Sequence, residues 1–224
     1  MGTKNGRGKR LIHGVGINDV DAPTESRENG KRVKNEYYVL WREMLARCYS
    51  LKRQKYRPNY VGCTVHPDWH KFSNFKKWVD TQPQVNWREL YLDKDLLTKS
   101  NKLYGPDTCC FLTNQENNLF RLSVPPFCNI TFQGKNRIKA WLVTMKTMNK
   151  TTYIGYYSTK EEASVVGARV GIERVIHVAN ANPHQFIRDA MFRWIDDWKQ
   201  ELLLLESNFQ KLGEKNGTLQ DYLC

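Results

Sequence analysis

Three short segments rich in β-branched and aromatic residues lie close together in the second half of the chain, and turn-forming residues bound each of them. They read CNITF from residue 128, RIKAWLV from residue 137 and TTYIGYY from residue 151. Their spacing predicts a three-stranded meander. The sequence Ser158-Thr-Lys-Glu161 follows at once and has the pattern of a capping box, which predicts a helix over residues 159–178.

The middle segment alternates in polarity, so its side chains divide between two faces of the predicted sheet. The face expected to pack on the helix carries apolar residues: Ile138, Ala140, Leu142 and Ile154. The opposite face carries cations around an aromatic ring: Arg137, Lys139 and Trp141. A tryptophan among cations has little structural purpose on such a face, so the alternation predicts a binding surface.

The distribution of charge favours a polyanionic partner. The chain has 35 basic and 23 acidic residues, which gives a net charge of +12. Between Phe127 and Thr159 there is no acidic residue, whereas acidic residues are enriched later in the chain. This segregation exceeds what solubility requires, and the simplest partner of a basic segment is nucleic acid.

Three stretches of the same segment follow one another in a specific order: KAW at 139–141, YIGYY at 153–157 and STKEEA at 158–163. In this order they resemble an AP2-type DNA-binding domain, over residues 127–179. The resemblance implies a sheet that lies in the major groove of double-stranded DNA, with a helix packed behind it.

The chemistry of these residues agrees with that resemblance. Cations around an aromatic ring suit phosphate contacts combined with stacking or apolar contacts to bases. We expect Lys139 and Trp141 to contact bases, and Tyr153 is a further candidate on the neighbouring strand. The complete predicted DNA-binding set is Lys135, Arg137, Lys139, Trp141, Lys146, Lys150 and Tyr153.

The first half of the chain carries two amphipathic patterns. From Asn35, a suitable N-cap, apolar residues recur at helical spacing: Tyr37, Leu40, Trp41, Met44, Leu45 and Cys48. Pro67 opens a second predicted helix, which ends before Pro83 and turns four residues inward: Trp69, Phe72, Phe75 and Val79. Both stripes indicate a packed core and not a cofactor site.

Residues 91–122 read YLDKDLLTKSNKLYGPDTCCFLTNQENNLFRL, which predicts a strand, a Gly-Pro turn, a buried strand and the start of an Asn-rich helix. With LWREMLARCY at 40–49 and YVGCTV at 60–65, this stretch resembles the HNH-like ββα-metal domain that phage nucleases often carry ahead of an AP2 domain. The chain as a whole resembles a phage HNH–AP2 protein of the homing-endonuclease type. The resemblance implies a site-specific DNA endonuclease that nicks DNA in the cytoplasm of an infected bacterial host.

One departure from the HNH pattern bears on the chemistry. The family places a histidine beside its first aspartate as general base, and here Lys94 holds that place. The resemblance implies Asp93 as a metal ligand, with Asn117 or Asn118 supplying a second ligand. Asp95 shares the strand face of Asp93, and two carboxylates with an amide oxygen suit Mg²⁺ or Mn²⁺. A lysine is a poor base at neutral pH, so in the catalytic group Asp93–Lys94–Asp95 we expect Lys94 to hold phosphate charge.

The six cysteines form no CxxC pair and are typical of reduced, buried thiols. The pattern that comes nearest to a zinc site is Cys63, His66 and His70. No second ligand pair accompanies it, so the sequence disfavours a structural zinc.

The sequence predicts an α+β chain with a break at Val124-Pro-Pro126. The predicted order is a basic N-terminal arm and loop (1–34), an HNH-like domain (35–123), an AP2-like domain (127–179) and a long C-terminal helix (182–213). The sequence contains no run of 18 apolar residues, so no membrane span is predicted. The first ten residues, MGTKNGRGKR, lack the apolar stretch of a secretory signal, so we expect a cytoplasmic protein.

The C-terminal helix leaves other functions open. Its predicted stripe is Phe186, Ala190, Trp194, Trp198, Leu202, Leu205 and Phe209, and Gly213 is expected to stop the helix. Leu202 to Leu205 are apolar on several faces, which suggests burial against a second copy or another protein. The alternatives to a nickase are a catalytically inactive relative that regulates by binding DNA, and an inhibitor or assembly factor that binds protein.

Overall fold

In the computed structural model the chain forms two compact units, Met1–Thr113 and Asn114–Cys224. Both units combine helices with small sheets, as predicted for an α+β chain. Residues 1–10 of the predicted arm and loop (1–34) and the break predicted at 124–126 lie outside the described residues. The structure describes residues 11–21, 24–120, 128–146 and 150–215.

The first unit is built from short strands and helices. In chain order they are β1 (Glu25–Glu28), β2 (Lys31–Lys34), α1 (Glu36–Tyr49), α2 (Leu51–Tyr56), β3 (Thr64–Val65), α3 (Phe72–Asp80), β4 (Tyr91–Asp93), β5 (Leu103–Tyr104) and β6 (Cys110–Leu112). Strands β1 and β2 pair antiparallel, β3 and β5 parallel, and β4 and β6 antiparallel. Single 3₁₀ turns lie at Pro58–Tyr60, Pro67–His70 and Trp87–Glu89.

Helix α1 forms where the apolar stripe predicts it. The Asn35 side chain caps it by accepting a hydrogen bond from the Tyr38 amide at 3.2 Å. Trp41 and Leu45 are fully buried, and the Trp41 indole donates to the Trp69 carbonyl at 2.7 Å. The core around them combines aromatic and aliphatic side chains, among them Met44, Val65, Trp69, Phe72, Phe75, Val79 and Phe111.

Strands β1 and β2 form a hairpin within the stretch that the sequence predicts as an arm and loop (1–34). Asn29 and Gly30 join the strands with φ values of 50° and 76°. This left-handed pair is the type I′ turn that an Asn-Gly loop favours, because its twist matches that of the two strands.

The second unit begins with α4 (Asn114–Leu119) and continues with a sheet and two long helices: β7 (Asn129–Phe132), β8 (Trp141–Lys146), β9 (Thr151–Tyr157), α5 (Lys160–Ala181) and α6 (Gln185–Lys215). The sheet order is β7-β8-β9 with antiparallel pairs, so the predicted meander forms. Thr159 caps α5 by accepting from the Glu162 amide, and the Glu162 carboxylate accepts from the Ser158 amide. The capping box is therefore displaced by one residue from its predicted position.

Helix α5 lies closely on one face of this sheet. A Cβ atom at Gly167 would lie 3.3 Å from the Cys128 Cβ and 3.8 Å from the Val143 Cγ1. The small residue lets the helix approach the strands, and Val143 is fully buried beneath it.

The second strand begins later than its pattern predicts. Residues 137–140 lie in the connection, Ile138 is 93% exposed, and β8 starts at Trp141. Residues two apart share a face, so Trp141 shares the face of Val143, which α5 covers. The predicted faces, with Ile138 and Leu142 toward the helix and Trp141 away from it, are therefore wrong. The physical reason is that the buried position is Val143, and a shift by one residue exchanges the two faces.

Helix α6 also differs from its predicted pattern. The buried stripe is Ile187, Ala190, Met191, Trp194, Ile195 and Trp198, whereas the predicted Phe186, Leu205 and Phe209 are exposed. Steps of four drift around a helix with 3.6 residues per turn, so Phe186 leaves the buried side. Leu205 and Phe209 keep the side of Trp198, being 7 and 11 residues beyond it, but are exposed because the covered part of the helix ends before them. The helix continues through Gly213 to Lys215, because glycine permits a helix end without enforcing one.

Truncation of two apolar side chains tests which face of the sheet is buried. Val143→Ala should lower the free energy of unfolding by about 2 kcal/mol, because it removes two buried methyl groups and leaves a cavity. Ile138→Ala is the matched exposed control and should change it by less than about 0.5 kcal/mol. Denaturant unfolding followed by circular dichroism measures both, and a larger loss at Ile138 would reverse the assignment of faces.

Candidate functional site

The face of the sheet that α5 leaves uncovered carries aromatic and hydroxyl side chains. Leu142 of β8 lies opposite Thr131 of β7 and Tyr156 of β9, and Thr144 lies opposite Tyr153. Tyr153 is 60% exposed. We call this surface the open face, and it consists of Thr131, Leu142, Thr144, Tyr153 and Tyr156.

A β-bulge brings the two tyrosines together. The register shifts between Val143 and Thr144, so Ile154 is an extra residue and lies beside Gly155 opposite Val143. Tyr153 and Tyr156 therefore share a face although they are three residues apart, and their ring centroids are 5.8 Å apart. Simple alternation misses Tyr156. The glycine within the strand is the signal that points to a bulge.

Arg137 extends the open face beyond the strands. It lies in the β7–β8 connection, and its guanidinium carbon is 5.4 Å from the centre of the Tyr156 ring. A cation over an aromatic ring is attracted to the π-face, so Tyr156 holds the guanidinium at the rim of the open face. Arginine placed in this way keeps N–H donors for a planar or anionic ligand.

The other predicted cations lie at the two ends of the sheet. The β7–β8 connection carries Lys135 and Lys139, and the other end of β8 and the start of β9 carry Lys146 and Lys150, all of them exposed. A six-residue strand spans roughly 20 Å, so β8 separates the two groups by about that distance. The arrangement can hold two separate stretches of a polyanion, with the tyrosines between them.

Trp141 is not part of the open face. It is half-buried on the face that α5 covers, and its ring centroid is 5.1 Å from that of Phe132. Its contact with bases stays a prediction. Because Trp141 shares the covered face with Val143, its position indicates a role in packing.

Asp93, the predicted metal ligand, closes a turn at the end of β4. Its Oδ2 atom accepts hydrogen bonds from the amides of Asp95 at 2.8 Å and Leu96 at 2.7 Å. Burial raises the pKa of the Asp93 carboxyl above its ordinary value, and the amide hydrogen bonds offset this only in part. The carboxylate thus has a structural role in the turn, whatever else it binds.

Lys94 is buried in the same loop, with 5% of its surface exposed. Its ammonium donates to the Asp95 carboxylate and to the Asn101 carbonyl, the latter at 2.6 Å. The Asn101 amide donates in return to the carbonyls of Lys94 and Leu103, at 2.8 and 2.6 Å. We call this arrangement the Lys94 latch. The sequence predicts that the Lys94 ammonium binds phosphate, whereas in the structure it bonds to the protein's own loop.

The two asparagines predicted as metal ligands belong to the second unit, whereas Asp93 belongs to the first. Asn117 is half-buried in α4, and the Asn118 amide donates to the Asn114 side chain at 3.0 Å. Buried Glu116 of the same helix accepts a hydrogen bond from the Asn182 amide at 2.6 Å. A metal site shared by Asp93 and either asparagine therefore stays a prediction.

The residues that come nearest to a zinc motif each bond to nearby backbone. His66 Nδ1 accepts from the Asp68 amide at 3.3 Å, and a His70 ring nitrogen lies 3.2 Å from the Val65 carbonyl. Within the described ranges, no three His, Cys, Asp or Glu side chains are grouped so that they could hold a metal ion. Burial raises the pKa of the Cys48 and Cys109 thiols to about 12, so both are protonated at neutral pH.

No protein-family model, curated protein or solved structure matches the chain. The resemblance to HNH and AP2 domains therefore stays an expectation drawn from sequence, and the geometry above carries the functional argument. Among the described helices, none combines the length and apolar character needed to cross a membrane.

Replacing the latch lysine tests its structural role. Lys94→Met keeps the length of the side chain but leaves the Asn101 carbonyl and the Asp95 carboxylate without their donor. Because Asp95 is about a third exposed, we expect a loss of about 2–4 kcal/mol in the free energy of unfolding, less than a fully buried pair would give. The control Lys52→Met removes an exposed lysine and should cost less than about 0.5 kcal/mol. Equal stability of the two variants would show that the latch does not stabilise the loop.

Proposed function

We propose that the second unit binds double-stranded DNA through its open face. The observation that carries this proposal is the tyrosine pair of the open face, with Tyr153 exposed and Tyr156 half-buried beneath the Arg137 guanidinium, on a sheet that has cations at both ends. The segment that forms the sheet has no acidic residue. A structural role would not require this combination, because the other face already supplies the packing against α5.

The proposed interface divides its work between two kinds of contact. The lysines at the ends of the sheet hold phosphates and release counterions, which supplies affinity that depends on salt. The open face meets the base edges, where tyrosine and threonine hydroxyls donate or accept hydrogen bonds and Leu142 offers apolar contact. The major groove is about 12 Å wide and admits strands of this kind.

Substitutions on the two faces should separate binding from packing. Tyr153→Ala and Arg137→Ala should each weaken binding of a duplex by about 1–3 kcal/mol while the thermal midpoint stays close to that of the parent. Trp141→Ala should mainly lower the thermal midpoint and have a smaller effect on affinity than the other two variants, because Trp141 lies on the covered face. Fluorescence anisotropy and thermal unfolding measure the two quantities.

The lysines give an independent readout of the same interface. Replacing Lys135, Lys146 or Lys150 by Gln should each reduce the slope of log affinity against log salt by about 0.9 and leave the preferred sequence unchanged. If the tyrosine and arginine variants bind like the parent and Trp141→Ala alone loses affinity, the open face is not the interface.

A second proposal concerns hydrolysis. Asp93 ends β4, which pairs antiparallel with β6, and α4 follows in the chain, so the described elements keep the strand–strand–helix order. We propose that Asp93 would help to hold a Mg²⁺ or Mn²⁺ ion, which would supply activated water for hydrolysis of one DNA strand. The Lys94 ammonium is held in its latch and would not serve as the base, so the rate should rise with pH.

The nicking proposal is tested on supercoiled plasmid. The parent should produce relaxed circles with Mg²⁺ or Mn²⁺, and Asp93→Asn should abolish them, because the variant loses the negative charge but keeps an oxygen for the turn amides. Asp107→Asn, an exposed control in the same unit, should cut like the parent. If the parent cuts nothing with Mg²⁺, Mn²⁺ or Zn²⁺, the chain functions as a DNA-binding regulator.

A protein partner is the remaining alternative, and one observation favours it. Leu203 and Leu204 of α6 are 57% and 64% exposed. A second copy of the chain or another protein could cover this part of the helix. If the parent shows no salt-dependent retention on DNA, an inhibitor or assembly role becomes the better proposal.

A further inference from the structure

The hairpin of β1 and β2 carries a like-charged pair that its own fold does not need. Arg27 and Arg32 lie directly opposite each other on the two strands. Like charges directly opposite each other destabilise a strand pair. Lys34 lies on the same face, because it is two residues beyond Arg32. We call this surface the arginine face.

The arginine face contains one carboxylate against three cations. Glu25 lies opposite Lys34, and its Oε1 is 3.6 Å from the Arg32 Nε. Both side chains of this ion pair are exposed, so water screens it and it stabilises the hairpin little. Among the described side chains of the arginine face, the cations therefore outnumber the carboxylates.

Packing does not explain the hairpin either. The described strand side chains are exposed on both faces, with Arg27 on one face and Val33 on the other. A two-stranded ribbon without a buried face is marginally stable in water. The Asn29-Gly30 turn shapes it, and the Asn35 amide anchors its base by donating to the Thr24 carbonyl at 2.9 Å. An exposed ribbon with an energetically unfavourable arginine pair indicates a surface made for a ligand.

We propose that the arginine face is a second DNA contact of this chain and that it binds the phosphate backbone. The guanidinium group is planar and presents paired N–H donors, which match phosphate oxygens. Opposite residues of a strand pair have Cα atoms about 5 Å apart, so Arg27 and Arg32 present their donors side by side to one stretch of backbone. The identity of the polyanion rests on the DNA-binding function proposed above.

The test uses the full chain and a double substitution, Arg27→Thr with Arg32→Thr. Threonine favours strands, and a cross-strand threonine pair replaces the repulsion, so the thermal midpoint should stay constant or rise. Affinity for a duplex should fall, and the slope of log affinity against log salt should decrease by about 1.8, for two lost phosphate contacts. The double variant Arg27→Lys with Arg32→Lys keeps the charge and should recover most of the slope.

Lys52→Gln with Lys55→Gln is the matched control, since it removes the same charge from exposed positions on α2. It should change the slope of log affinity against log salt by less than half of the change produced by the threonine variant. A threonine variant with the slope of the parent, or a control that loses as much as the threonine variant, overturns the proposal. If the threonine variant loses affinity while the variants of the open face bind like the parent, the arginine face stands and the interface proposed for the second unit fails.

Discussion

The close packing of α5 on the three-stranded sheet is the constraint on which the second unit depends. Gly167 has no side chain, so the helix approaches Val143 and Cys128 and buries that face of the strands. Once α5 covers this face, the strand register determines which side chains lie on the opposite, uncovered face. Trp141 is on the covered side and the tyrosines on the uncovered side. The candidate interface is thus a consequence of packing, because the residues available to a ligand are those that the helix contact leaves exposed.

Much of the fold follows from local patterns. The α1 stripe, its Asn35 cap, the meander and the Asn29-Gly30 turn could be predicted because each depends on neighbouring residues. Predictions failed where a distant contact decided the outcome. The start of β8 depends on which residue meets α5, and the pairing of Tyr153 with Tyr156 depends on a bulge. Neither leaves a periodic signal in the sequence.

The Asp93 loop shows a different limit of sequence reasoning. Residue type and order predicted a catalytic group, and the structure shows Asp93 and Lys94 in hydrogen bonds that shape their own loop. The two roles are compatible for Asp93, because a carboxylate has two oxygens. They conflict for Lys94, because the side chain is buried and two of the three N–H donors of its ammonium already bond to Asp95 and Asn101. Burial of a lysine cannot be predicted from sequence spacing, because it depends on the tertiary path of the loop.

The bulge in β9 also determines how the length of this strand can vary. Ile154 and Gly155 together oppose Val143, so the loss of either one would restore a regular strand. Tyr153 and Tyr156 would then be separated by one residue and would still share a face. Loss of Thr152 with the same repair would instead turn Tyr153 toward α5. A variant with a shorter β9 would therefore keep this surface if the deletion falls at the bulge, whereas an added residue between the two tyrosines that the bulge does not absorb would place them on opposite faces.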